Sequence, residues 1–146
     1  MASPLETLWT RLAGPADQGR IDFARLERRK VPNDALAASP GAVSATVDRA
    51  LPVYAEPPEA LLRRLDVRLA DDRNVERVDD RASPTYRRYV VRTALLRFPD
   101  TVDVEAGPDA SGHTLLRLYA RSQLGKGDFG ANAKRLAAWT EGLSTT

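Results

Sequence analysis

Residues 101–122 read TVDVEAGPDASGHTLLRLYARS, and their reading decides the fold. Val102, Val104 and Ala106 alternate with Asp103 and Glu105, the period-two pattern of a strand with one apolar face. The stretch GPDASG at 107–112 has the Gly, Pro, Asp and Ser of a chain reversal. Leu116, Leu118 and Ala120 then alternate with Arg117, Tyr119 and Arg121. Two alternating runs joined by a short loop predict an antiparallel hairpin.

The flanks extend that pattern. Upstream, TYRRYVVRTALLRF at 85–98 is rich in β-branched and aromatic residues and predicts one long strand stopped by Pro99. NVERVDD at 74–80 predicts a short strand, and TVDRALPVYAE at 46–56 a strand interrupted at its proline. Between those two, Pro58 opens a helix whose Leu61, Leu62, Leu65 and Leu69 form an apolar stripe. Ser3 caps a shorter helix over 3–12, with Leu5, Leu8, Trp9 and Leu12 on one face. GPADQG at 14–19 ends it, and Ile21, Phe23 and Leu26 begin a second apolar stretch. Residues 28–45, rich in Pro, Ala and Ser, read as an irregular arm that wraps the domain without entering its core. The expectation is an α+β fold, a small antiparallel sheet with helices packed on one face, over 46–146. Residues 1–45 are expected to form an N-terminal arm of helix and irregular chain.

Downstream of the hairpin, LGKGDFGAN at 124–132 carries two misleading patterns. Gly125, Gly127 and Gly130 spell the G-x-G-x-x-G of dinucleotide sites. That chemistry needs a following strand with an acidic residue ~20 positions on, and the sequence given stops at Thr146. Asp128 would also set a carboxylate where a pyrophosphate belongs. Asp128-Phe129-Gly130 matches a kinase triplet, but no catalytic-loop motif precedes it. The residues instead describe a glycine turn feeding a helix over 128–143, with Asp128 as its cap. At 100° per residue, Phe129, Ala133, Leu136, Thr140 and Leu143 face the core, with Asn132 and Trp139 on its shoulder.

Composition narrows the function classes. The chain has 146 residues, 42% of them hydrophobic, which suits one modest core. It has no cysteine and one histidine, so thiolate and disulfide chemistry are excluded and a metal site is poorly supplied. Neither a signal peptide nor a transmembrane run is visible, which makes the cytoplasm the default expectation. With 22 basic and 20 acidic residues the net charge is +2, too balanced to point to nucleic acid. Arg88, Arg92, Arg117 and Arg121 with Tyr86, Tyr89 and Tyr119 could stack single strands. Cross-strand pairing with Asp103 and Glu105 gives the same letters. Asp109, Ser111 and His113 match a catalytic triad in letters alone. Asp71-Asp72 and Asp79-Asp80 read as turn residues and helix ends.

Three blocks carry a family resemblance. RSQLGKGDFGANAKRL at 121–136 supplies Arg121, Ser122, Gly125, Asp128, Phe129, Gly130, Asn132 and Arg135. LLRFPDTVDVE supplies Phe98, Pro99 and Asp100, and VPNDALAASP supplies Pro32 and Asn33. In this order the blocks resemble the bacterial and plastid family called domain of unknown function 1499. The resemblance covers about 30–140 and implies a shared fold and shared residues without an activity.

The surface these residues single out is the strand-end and helix-start junction of Asp100, Arg121, Ser122, Gly125, Asp128, Asn132 and Arg135. One reading is a polar lock, in which Arg121 or Arg135 pairs with Asp100 or Asp128. The other is a pocket for a small anionic or amphipathic ligand, or a contact for a protein partner, with no metal, cofactor or catalytic residue assigned. An enzyme using the same junction is the alternative.

Overall fold

A computed structural model of the chain describes residues 2–125 and 127–143. The hairpin is its centre. Strand β5 (Pro99–Pro108) pairs with β6 (Thr114–Ser122) in a register that runs from Asp100 opposite Ser122 to Pro108 opposite Thr114. Four more strands complete an open sheet: β1 (Asp34–Ala38), β2 (Arg49–Ala50), β3 (Val75–Arg77) and β4 (Tyr86–Arg92). The order is β2-β1-β6-β5-β4-β3, antiparallel except for β1 beside β2. Three helices accompany it: α1 (Pro4–Ala13), α2 (Pro58–Leu69) and α3 (Ala131–Thr140).

Helices α2 and α3 cover one sheet face, as the hydrophobic patterning predicts. Leu61, Leu62 and Leu65 of α2 are fully buried against Val102, Val104, Leu116 and Leu118. Each such leucine contributes about 1.5–3 kcal/mol by leaving water. Tyr89 and Trp139 meet edge to face at 5.4 Å and close the same core from β4 and α3.

The opposite face is also covered. Residues 15–29 cross it as a strap, pinned by Phe23, which is buried with Leu36 and Tyr119. Most of its other anchors are polar. Asp17 takes a bidentate pair from Arg88. Ile21 N–H donates to Asp103, and the Gly19 carbonyl accepts from Arg121. The strap's backbone groups thus find partners on sheet side chains, as buried polar groups require.

Several sequence expectations are corrected. Residues 28–45 are not wholly irregular, because Asp34–Ala38 is an interior strand paired with β6 and β2. Its alanines have little strand propensity. Ala35 and Ala37 instead belong to the core shared with Leu136 of α3, where small side chains let helix and sheet come close. The long strand over 85–98 is two elements. β4 stops at Arg92, residues 93–98 reverse direction, and Pro99 starts β5 opposite Arg92. Thr93 and Phe98 close this turn with 3.0 and 2.9 Å hydrogen bonds, and Arg97 takes a left-handed φ of 60°. No glycine announces the turn. The strand expected over 46–56 shrinks to Arg49–Ala50 and a single bridge from Tyr54 to Thr114.

Helix α3 starts at Ala131, later than expected, after Gly130 at φ 78°. Asn132, Leu136, Trp139 and Thr140 form its buried side, while Ala133 is exposed and Phe129 is 101% exposed. Phe129 lies ahead of this start, outside the helix at φ 54°, and the buried side takes in Asn132 and Trp139 in place of Phe129 and Ala133. Helix α1 forms with a full capping box between Ser3 and Glu6. It is held by Trp9 and Glu6, and Leu8 and Leu12 stay exposed.

Candidate functional site

The last residue of β6, the second residue of β5 and the first turn of α3 meet at one end of the sheet. Asp100 and Ser122 are register partners whose side chains lie on the helix-covered face. Asn132, with no exposed surface, donates from Nδ2 to Ser122 Oγ at 3.0 Å and to the Asn33 carbonyl at 3.4 Å. Its Oδ1 accepts from Arg135, whose guanidinium also stands 2.8 Å from Asp100. Asn33 closes the ring. Its carbonyl accepts the Ser122 N–H at 2.9 Å, and its Nδ2 donates to the Gly125 carbonyl at 3.2 Å.

Asp128 belongs to the same cluster through backbone contacts. Its carboxylate accepts the N–H groups of Gly130 and Asn132, so it stabilises the helix start from two residues ahead of the observed N-cap, Gly130. Its own N–H reaches the Pro32 carbonyl at 3.3 Å. Gly125 supplies a φ of 85° where a side chain would be strained. Burial pushes the Asp100 carboxyl above its ordinary range, with the Arg135 charge pulling it back.

Arg121 is not part of this group. The strand alternation that points Ser122 toward α3 points Arg121 to the strap side. There it pairs with the buried Asp103 at 2.8 Å and donates to the Gly19 carbonyl. Asp103 also accepts from the Tyr86 hydroxyl and the Ile21 N–H. The other sheet arginines are similarly engaged. Arg88 binds Asp17, Arg87 binds Asp66, and Arg92 binds Glu6. Tyr86, Tyr89 and Tyr119 are buried. The hairpin trio is in contact but in the wrong order for a triad. Ser111 Oγ lies 2.8 Å from both Asp109 and His113, so the carboxylate touches the serine instead of orienting the imidazole.

Beside the lock a pocket of about 300 Å³ opens. Asp100, Ser122, Thr93 and Asp128 supply its polar lining. Phe98, Leu124, Ala131 and Phe129 supply its apolar lining. Among the described residues the lining presents two carboxylates and no cation. Phe98 and Asp100 were legible from their sequence block. Thr93 was not, because the turn at 93–98 carries no glycine and brings it in by a reversal the sequence hides, and Leu124, though inside the third block, was not singled out.

The fold and this junction define an α+β protein with an open six-stranded sheet and, at one end of it, a pocket of mixed polar and apolar lining. The chain belongs to the family described as protein of unknown function (DUF1499), whose model matches residues 31–143. The matched region holds all three blocks that converge at the junction. No curated protein and no solved structure matches the chain. Among the described residues, no helix is long and apolar enough to cross a membrane.

Proposed function

We propose that the protein is a non-enzymatic binding protein that holds a small amphipathic molecule in the pocket beside Asp100. The carrying observation is a lining that combines apolar Phe98, Leu124, Phe129 and Ala131 with polar Thr93, Asp100, Ser122 and Asp128. Ligand sites have this composition, with a few placed polar groups setting orientation. The lining charge favours the amphipathic branch of the sequence reading over the anionic one. An anionic head would face Asp100 and Asp128, whereas a hydroxyl or ammonium head would donate to them. The lock supports the same reading, because Asn132 and Arg135 fix Ser122 and Asp100 from behind and leave the pocket shape preorganised.

The test is thermal stabilisation by short-chain amphiphiles. Octanol and octylamine should raise the melting temperature, octanoate should not, and Leu124→Trp should abolish the effect by filling the pocket. Equal shifts in wild type and Leu124→Trp would remove the pocket from the account. Turnover of an added amphiphile would favour the enzymatic alternative.

A further inference from the structure

Of the eight large apolar side chains exposed among the described residues, Leu8, Leu12, Leu95, Leu96 and Phe129 lie on three connected elements at one corner, while Val31, Val53 and Val67 lie on other segments. The corner is built from three elements that brace one another. Trp9 Nε1 donates to the Leu96 carbonyl at 2.7 Å, and its ring meets Phe98 at 4.9 Å. Those contacts lay α1 against the turn at 93–98. Gln123 donates to the carbonyls of Ala13 and Gly14, which ties the end of α1 to the loop leading to Phe129. Leu95 is 84% exposed at the turn apex, in a run of three exposed apolar residues that begins at Ala94. Such a run on a soluble surface calls for a functional reason. Phe129 and Arg97, both at left-handed φ, sit on the two loops that present it. Backbone strain of this kind concentrates where a surface has a task.

The two carboxylates carried by the corner's own elements are engaged. The Glu6 carboxylate is held by Arg92 and Arg97, and the Asp128 carboxylate is turned to backbone amides. Arg11, on α1 between Leu8 and Leu12, is exposed and makes no ion pair among the described residues. Lys30 is likewise exposed and unpaired; it precedes Val31 and Pro32, and the Pro32 carbonyl receives the Asp128 N–H.

We propose that this corner docks on an anionic lipid surface. Leu95, Leu96, Phe129 and the outer side of α1 enter the boundary between headgroups and acyl chains, and Arg11 and Lys30 meet lipid phosphates. An interfacial helix with leucines beside a basic residue fits that position. The relief of the corner favours lipid over a protein partner. Its apolar side chains stand out from two loop tips and a helix flank, and fluid acyl chains accept such relief, whereas a protein interface needs close complementary packing. Phe98 and Phe129, which line the pocket, belong to the same corner. The docking proposal stands on the exposed side chains and not on the pocket's occupant.

The test is co-sedimentation of the full chain with vesicles of phosphatidylcholine mixed with phosphatidylglycerol, against phosphatidylcholine alone. Binding to the mixed vesicles is expected, with a blue shift of Trp9 emission. Leu95→Ser with Phe129→Ser should weaken it about tenfold or more. Arg11→Glu should weaken binding to the mixed vesicles only, and Val67→Ser, an exposed change on α2, should leave it intact. Leu12→Ser gives the same readout from a separate element should the double variant fail to fold. Absence of vesicle binding by the wild type overturns the proposal, as does unchanged binding by both Leu12→Ser and the double variant. Lipid-free self-association that these same variants abolish, without vesicle binding, would assign the corner to a second copy of the chain instead.

Discussion

Arg135 of α3 stands 2.8 Å from Asp100 of β5, and this pair joins two of the three sequence blocks that the family resemblance rests on. Both side chains are largely withdrawn from water, so neither charge is well solvated without the other. Breaking a buried pair from one side leaves an uncompensated charge. Arg135→Ala should therefore lower stability by about 3 kcal/mol. Combining Arg135→Met with Asp100→Leu should recover most of that loss. Urea unfolding of the two variants checks both statements, and a double variant no better than the single would show the pair to be more than charge compensation.

Asn132 carries the middle of the lock. Its amide links Ser122, the Asn33 carbonyl and Arg135 with no exposed surface. Asn132→Ala should cost about 2 kcal/mol, since it strands those partners as well as losing the bonds. Hydrogen exchange at the Ser122 and Gly130 amides should rise with it.

Arg121 works on the other face, and its loss should be felt in the strap. Arg121→Ala leaves Asp103 buried beside Tyr86 without its cation. A loss of about 3–5 kcal/mol is expected. Proteolysis within residues 15–26 should accelerate before the core opens, because the Gly19 carbonyl loses its donor. Cleavage confined to the core would contradict this division of labour.

Asp79 gives a pH signature. Burial works to raise its carboxyl, but the Arg77 guanidinium and the amides of Arg88 and Arg81 outweigh it and hold it at about 2. A carboxyl depressed on folding stabilises the protein above its unfolded value near 3.8. That stability is lost as pH falls toward 2. The contribution at neutral pH is about 2 kcal/mol. Asp79→Asn should flatten the acid limb of a stability–pH curve between pH 5 and 2 by about that amount.

Phe129 supplies the opposite kind of prediction. Its left-handed φ of 54° is costly for an aromatic residue, and its ring contributes no burial. Phe129→Gly should raise stability by about 1 kcal/mol. A loss of stability would show that the ring packs on the protein in solution.

The sequence by itself determined the hairpin at 101–122, the buried stripe of α2 and the α+β class, because each is a local period that needs only one apolar face. Through the family resemblance it also marked Pro32–Asn33, Phe98–Asp100 and Arg121–Arg135 as blocks to be read together. Tertiary structure decided the rest. The alanines of β1 became an interior strand because pairing with β6 and closeness to α3 outweigh propensity. Phe129 left the core because the helix starts at Ala131, so residue 129 lies ahead of it and the helical period no longer sets where its side chain points. Asp100 and Arg121 read as neighbours in one constellation, yet alternation along paired strands sets them on opposite faces of the sheet. One went to the lock and one to the strap. That choice is made by what covers each face, and no window of sequence contains it.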